Sequence, residues 1–237
     1  MSKKRLLLLS NSTTHGYGYL EHAKDMFKNF YKDIKKITFV PYAGVSFSYE
    51  DYHKKVSNFF NSIGYDVESL HQTNDPREMI ESSEAIAVGG GNTFHLLKEM
   101  YDNSVIEPIR RKVSEGTPYS GWSAGSNMAC PSIKTTNDMP IVEPQSFTAL
   151  DLIPFQINPH FTDQKLQKHY GETRTQRLEE FIIANKNVTV LGLREGTALK
   201  IEGSEIELLG DKDAILLKYG ADHKDLTKSD DFSFLLR

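Results

Sequence analysis

The feature that most constrains how this chain can fold is an alternation that runs through its first half. Short apolar runs at residues 5–10, 37–40, 67–70 and 85–88 are separated by stretches whose apolar residues recur at helical spacing. Leu20, Ala23, Phe27, Phe30 and Tyr31 mark one helix, and Tyr52, Val56, Phe59, Phe60 and Ile63 the next. Asn74-Asp75-Pro76 caps a short one, with proline in its first turn. Phe94, Leu97 and Met100 mark another, and residues 105–115 a further one. Unbroken apolar runs between amphipathic helices are what strands buried on both faces look like. The alternation therefore predicts an α/β fold of three layers, with a mostly parallel central sheet and helices on both sides.

In such sheets ligands bind beyond the carboxyl ends of the strands. Polar or glycine-rich stretches fall there: residues 10–14, 41–44 and 89–93, and then Gly121-Trp122-Ser123-Ala124-Gly125 after an extended run at 117–120. A serine between strand end and helix start stands on a sharp turn with its hydroxyl exposed. Glycines two residues to either side remove the Cβ atoms that would clash. The N–H of Ala124 would then face an oxyanion formed at the serine, backed by the positive end of the new helix. Taken alone, the pentapeptide also suits a small-residue turn in a packed sheet.

The second half is less regular. Residues 131–147 form a long connection containing Pro131, Pro140 and Pro144, a length that is usually functional or mobile. Residues 155–161 read as a strand stopped by Pro159, residues 173–184 as a helix, and residues 188–193 as a strand entering Arg194-Glu195-Gly196. Beyond Ala198, alternating runs at 199–201, 206–208 and 215–217, separated by Gly203 and Gly210, predict antiparallel hairpins at one edge. No internal repeat or composition break divides the chain, so residues 1–237 are expected to form a single domain.

Composition narrows the function classes. A net charge of −4 with 25% charged residues offers no basic surplus for nucleic acid. The apolar run at 6–9 is too short for a signal peptide and suits a buried first strand, and no stretch reaches the length of a membrane span. With one cysteine, Cys130, there is no intramolecular disulfide framework. A cytoplasmic protein is the expectation. No His-Glu-x-x-His, paired cysteines or carboxylate cluster points to a metal, and Gly89-Gly90-Gly91 has neither dinucleotide nor P-loop spacing, so no cofactor is expected.

A serine needs a base. Of the eight histidines, His22, His53, His95, His169 and His223 sit in polar or helical contexts where solvation is the default. His15 lies in the first loop and His71 just after a strand. His160 follows Asn158-Pro159 at a strand end, which is expected to bring it to the same sheet edge as Ser123, although it also reads as a capped loop histidine. The base in turn needs a carboxylate. Asp138, in the long connection, and Glu195, at a strand end, are both candidates. The glycine run offers free N–H groups for a second oxyanion contact, or simply a tight turn.

Together these motifs resemble the peptidase E family of bacterial cytoplasmic α-aspartyl dipeptidases. The resemblance spans nearly the whole chain and rests on Val88-Gly89-Gly90-Gly91-Asn92-Thr93-Phe94, the serine pentapeptide, Thr135-Thr136-Asn137-Asp138-Met139-Pro140-Ile141-Val142, Gln156-Ile157-Asn158-Pro159-His160-Phe161 and Gly171-Glu172-Thr173-Arg174, in that order. It implies a fold akin to class I glutamine amidotransferases, with serine in place of cysteine. It implies Ser123 as nucleophile, His160 as base, and Gly91 and Ala124 as oxyanion donors. Asp138 falls on the family's Thr-Asn-Asp-Met-Pro acid and is the expected third catalytic member. Glu195 falls on another position considered for that role and is assigned here to the substrate ammonium or to supporting its loop. Arg174 matches the arginine expected to hold the substrate's aspartate side chain. Arg194, Thr197-Ala198 and Ser126 depart from the residues expected at their positions, which bears on fine substrate preference.

The implied activity is release of an N-terminal aspartate from dipeptides and short peptides by a monomer or homodimer. Three rivals remain: a cyanophycinase-like hydrolase of the same superfamily, an esterase of the α/β-hydrolase type, and a non-catalytic protein that binds acidic amino acids.

Overall fold

In the computed structural model the described residues are 3–163 and 171–236; His169 lies outside them. Five strands, β1 (Arg5–Leu9), β2 (Lys36–Val40), β3 (Asp66–Ser69), β4 (Ile86–Val88) and β5 (Tyr119–Trp122), lie parallel in the order β3-β2-β4-β5-β1. The helices between them are α1 (Lys24–Tyr31), α2 (Tyr49–Ser62), α3 (Pro76–Glu81), α4 (Thr93–Asp102) and α5 (Ile106–Glu115). As their continuous apolar runs require, β1, β2, β4 and β5 are buried on both faces, while β3 is a half-exposed edge strand. Leu7 and Leu9 of β1 pack with Phe27 of α1 and Val56 and Phe60 of α2 on one side. Leu6 and Leu8 pack with Leu97 of α4 and Ile109 of α5 on the other. This is the three-layer α/β arrangement that the alternation implies.

A four-residue helix, α6 (Ala124–Asn127), follows β5 directly, and the chain then runs through the long connection to β6 (Gln156–Phe161). After α7 (Arg174–Ala184) come β7 (Thr189–Arg194), β8 (Ala198–Glu202), β9 (Glu205–Leu209), β10 (Ala214–Lys218) and β11 (Lys224–Leu226). Here the structure corrects two expectations. The strand carrying His160 does not extend the central sheet: among the described residues β6 belongs to a second sheet, ordered β11-β10-β7-β6. The late strands are also divided. β8 and β9 form a hairpin that adds antiparallel to β1, whereas β10 and β11 join β7 in the second sheet.

Burial explains the division. Ile157, Leu191 and Leu193 of the second sheet enter the same core as Met128 and Leu199, whereas Val190, Ile215 and Leu217 face Leu178 and Ile182 of α7. The second sheet thus has two apolar faces of its own to cover, one against the main body and one under α7.

Candidate active site

Ser123 occupies the turn between β5 and α6 with φ 54° and ψ −114°, a conformation rarely populated by residues with a side chain. Both flanking glycines are sterically required. A Cβ on Gly121 would overlap the backbone of Gly125, and one on Gly125 would overlap the Val88 carbonyl oxygen. The turn is tied to β1 by the Ser123 N–H donating to the Leu9 carbonyl at 3.1 Å. Ser126, one of the departures noted above, is buried, and its hydroxyl lies 2.6 Å from the Leu9 carbonyl and 2.8 Å from that of Gly121. It pins α6 to both neighbouring strands.

His160 lies where the β6–β7 register shifts, between Asn158 and Phe161, and also has positive φ, 54°. That irregularity turns its ring out of the second sheet towards Ser123. Its Nε2 stands 2.9 Å from Ser123 Oγ, and its Nδ1 stands 2.7 Å from Glu195 Oε1. The backbone beneath it is held by side chains from several segments. The His160 N–H donates to Ser10 Oγ at 2.9 Å, and Ser10 Oγ donates to the Leu193 carbonyl at 2.7 Å. Asn137 Nδ2 donates to the Pro159 carbonyl at 2.7 Å, and Asn158 Nδ2 to Asn137 Oδ1 at 2.7 Å. The loop of Glu195 is anchored by the Gly196 N–H donating to Asn11 Oδ1 at 2.8 Å.

The acid bonded to His160 is therefore Glu195, whereas Asp138, the expected third member, is bonded elsewhere. The Asp138 carboxylate accepts from the Thr93 N–H at 2.7 Å and from Thr93 Oγ1 at 2.5 Å. The first turn of α4 has N–H groups with no intrahelical partner and a positive dipole end, and a carboxylate on a nearby loop is drawn to both. Asp138 thus staples the long connection to α4. Glu195, in turn, is hydrogen-bonded to the His160 ring.

Ala124 directly follows Ser123, and Gly91 lines a cavity with it. Ala124 is the first residue of α6, where an N–H has no intrahelical acceptor. Gly91 has φ 142°, and a Cβ there would overlap the Ala43 carbonyl, so only glycine fits. The glycine run is braced by Tyr52 of α2. Its hydroxyl donates to the Gly90 carbonyl at 2.8 Å and accepts from Trp122 Nε1 at 3.2 Å.

Arg174 opens α7 beside a Thr173/Gln176 capping box. It lines a cavity of about 500 Å³ with His160, Phe161, Asp163, Arg194 and Glu195. Its side chain makes no ion pair among the described residues. Burial first, and then the neighbouring Arg177, draw its guanidinium below its ordinary value, while Asp138 acts the other way. Arg194 on the same wall is already engaged, with Asp163 at 2.7 Å and Asp225 at 2.8 Å, and these partners raise its pKa. Among the described residues Arg174 is a half-buried cation without a carboxylate bonded to it, next to one that is saturated, and an anionic ligand would gain there.

Sequence reasoning passed over Ser10, Asn11 and Asn137 as site-supporting residues. Their one signal was position, since all lie in polar stretches after strands or in the long connection. Cys130 is buried, accepts from the Ile157 N–H at 3.1 Å, and has its thiol pushed up to about 12 by burial, so it is a packing residue.

A serine held in a strained turn at the carboxyl edge of a parallel sheet, in line with a histidine and a carboxylate, places the molecule among the nucleophilic hydrolases of α/β fold. Comparison with known families makes the class specific. Residues 6–209 match the model of Peptidase family S51, and the chain belongs to that family of peptidases. It is 51% identical to Peptidase E of Nostoc sp. over 98% of this chain and 97% of that protein. It is 48% identical to Peptidase E of Haemophilus influenzae over 91% of this chain and the whole of that protein. Among solved structures, a putative peptidase E protein from Listeria monocytogenes superposes with a TM-score of 0.66 at 24% identity, covering 88% of this chain and 99% of that one. A peptidase from an acI-B1 Actinobacterium superposes with a TM-score of 0.72 at 19% identity, covering 98% and 97%. At those identities the two structures speak to the fold, which they share.

Proposed function

We propose that this peptidase is a serine exopeptidase that removes an N-terminal aspartate from dipeptides and short peptides, Asp-|-Xaa, through an acyl-enzyme. The observation that carries the reading is the unbroken line from Ser123 Oγ through both ring nitrogens of His160 to Glu195, at 2.9 and 2.7 Å. Glu195 accepts from Nδ1–H, which leaves Nε2 free to accept the serine proton. Ser123 Oγ attacks the carbonyl of the aspartate, and the developing oxyanion is met by the N–H groups of Gly91 and Ala124. His160 Nε2 then donates its proton to the leaving amine. Water, deprotonated by the same nitrogen, releases the aspartate and regenerates Ser123. Arg174 pairs with the aspartate side chain in the cavity beside Glu195.

The relatives at about half identity carry the name Peptidase E, and Arg174 favours a short acidic substrate over a long cationic polymer. Among the described residues no helix is long and apolar enough to cross a membrane. We place the enzyme in the cytoplasm, as one domain acting on small peptides without nucleic acid.

The test is a dipeptide panel in which the first residue varies, run on the wild type and on Ser123→Ala. Asp-Xaa peptides are expected to dominate, and Ser123→Ala to abolish turnover while far-ultraviolet circular dichroism is unchanged. If Ser123→Ala kept a tenth of the wild-type kcat, the serine mechanism would be wrong.

A further inference from the structure

A second cavity, of about 410 Å³, opens at Ser123 and His160. It is lined by Gly90, Gly91 and Ser123, by Tyr19 of the loop before α1, by Phe47 of the loop before α2, and by Tyr52 and Lys55 of α2. Apart from Tyr52, which braces the glycine run, these side chains make no hydrogen bond to the Ser123–His160–Glu195 line among the described residues. Lys55 is exposed, makes no ion pair among the described residues, and rests its Nζ 4.2 Å from the centroid of the Tyr19 ring. The other charged group on this wall, Asp51, is occupied at the helix cap, where its carboxylate accepts from Ser48 Oγ at 2.6 Å. Phe47 is 45% exposed despite its size and meets Tyr52 edge-on at 5.1 Å.

We propose that this cavity receives the residue released by cleavage, with Lys55 pairing with its free carboxylate and the Tyr19 and Phe47 rings covering its side chain. The assignment rests on the Asp-Xaa reading above. The two cavities meet at His160, so the substrate's two halves divide between them. The acyl half stays on Ser123 and carries a carboxylate suited to Arg174 in the first cavity. The released half must leave past His160 Nε2, which gives it its proton, and the cavity under α2 opens there. In a dipeptide that half ends in a second carboxylate, whose charge needs a cation of its own. Lys55 is such a cation: unpaired, on a flexible stem, and mounted on the helix that also braces the oxyanion glycines through Tyr52. The same arrangement makes the site sensitive to chain length. A third residue would carry the carboxylate beyond the reach of Lys55 and replace it with a neutral amide.

The experiment compares Asp-Leu, its C-terminal amide Asp-Leu-NH2 and an aspartyl anilide, in wild type, Lys55→Met and Lys55→Arg. In wild type, amidation is expected to lower kcat/KM roughly 5- to 30-fold, mostly through KM, the scale of one charge-assisted contact at a partly exposed site. Lys55→Met should lose a similar factor on Asp-Leu and almost nothing on the amide or the anilide, so that acid and amide become equivalent. Lys55→Arg should restore most of the discrimination. Unchanged anilide turnover shows that the variant is folded and its serine active. The proposal is overturned if Lys55→Met still discriminates acid from amide by the wild-type factor. It is also overturned if Asp51→Asn, rather than Lys55→Met, raises KM for all three substrates alike, which would make the cavity a site for the substrate's ammonium. Failure of the Asp-Xaa reading looks different: wild type would turn over none of the three aspartyl compounds.

Discussion

At the scale of single residues, the site turns on which carboxylate holds His160. Glu195 and Asp138 are alike in sequence context, each a loop acid within a motif, and both were candidates. The fold separates them: Glu195 Oε1 lies 2.7 Å from His160 Nδ1, whereas Asp138 is bonded to both polar groups of Thr93. Glu195→Gln replaces an acceptor with an amide that no longer stabilises an imidazolium. It is expected to lower kcat by roughly 10²- to 10⁴-fold, the upper end being the loss seen in buried triads, and Glu195 here is half exposed. Asp138→Asn removes a charge from a helix N-terminus, so it should cost about 1 kcal/mol of stability and reduce kcat by less than about tenfold. Steady-state kinetics beside thermal melts of both variants check the pair. A larger loss of kcat in Asp138→Asn than in Glu195→Gln would return the catalytic role to Asp138.

At the scale of elements, Ser123, Arg174 and His160 are placed by the start of a helix or by a break in a strand. Ser123 precedes α6, Arg174 begins α7, and His160 sits in the irregularity of β6. Helix starts are legible in a sequence through their caps, and the Thr173/Gln176 box is an instance. The irregularity in β6 is not, because it arises from pairing with β7, although Pro159 hints that the strand is interrupted. The rigid start of α7 also bears on specificity. A guanidinium fixed there meets an aspartate carboxylate through two parallel hydrogen bonds, and an asparagine leaves it with a neutral partner, costing on the order of 2–5 kcal/mol. Asp-Xaa peptides should therefore exceed Asn-Xaa peptides by about 30- to several-thousand-fold in kcat/KM. Arg174→Ala should erase that preference while Ser123 still reacts with small acylating inhibitors. An Arg174→Ala enzyme that keeps the wild-type preference would place aspartate recognition elsewhere.

At the scale of the whole molecule, the catalytic line crosses two sheets. Ser123 is carried by the central one, His160 and Glu195 by or beside the second, and Ser10 joins them by accepting from the His160 N–H and donating to the Leu193 carbonyl. Ser10→Ala would leave two backbone groups short of a partner. It should cost about 2 kcal/mol, roughly 4–8 °C in Tm for a chain of this length, and lower kcat because His160 loses its backbone support. Calorimetry and kinetics on the one variant test both, and an unchanged kcat would show that the sheets hold together without Ser10. The amino-acid sequence alone determined the alternating strands and helices and the glycine-flanked serine turn. These are local matters, set by periodicity, glycine sterics and capping within a few residues. Only the tertiary structure decided that the late strands divide between two sheets, that Glu195 and not Asp138 meets His160, and that α2 roofs a second cavity. Those outcomes depend on which apolar faces bury one another and on which unpaired N–H groups attract a distant carboxylate, and such long-range pairings leave no periodic trace in the chain.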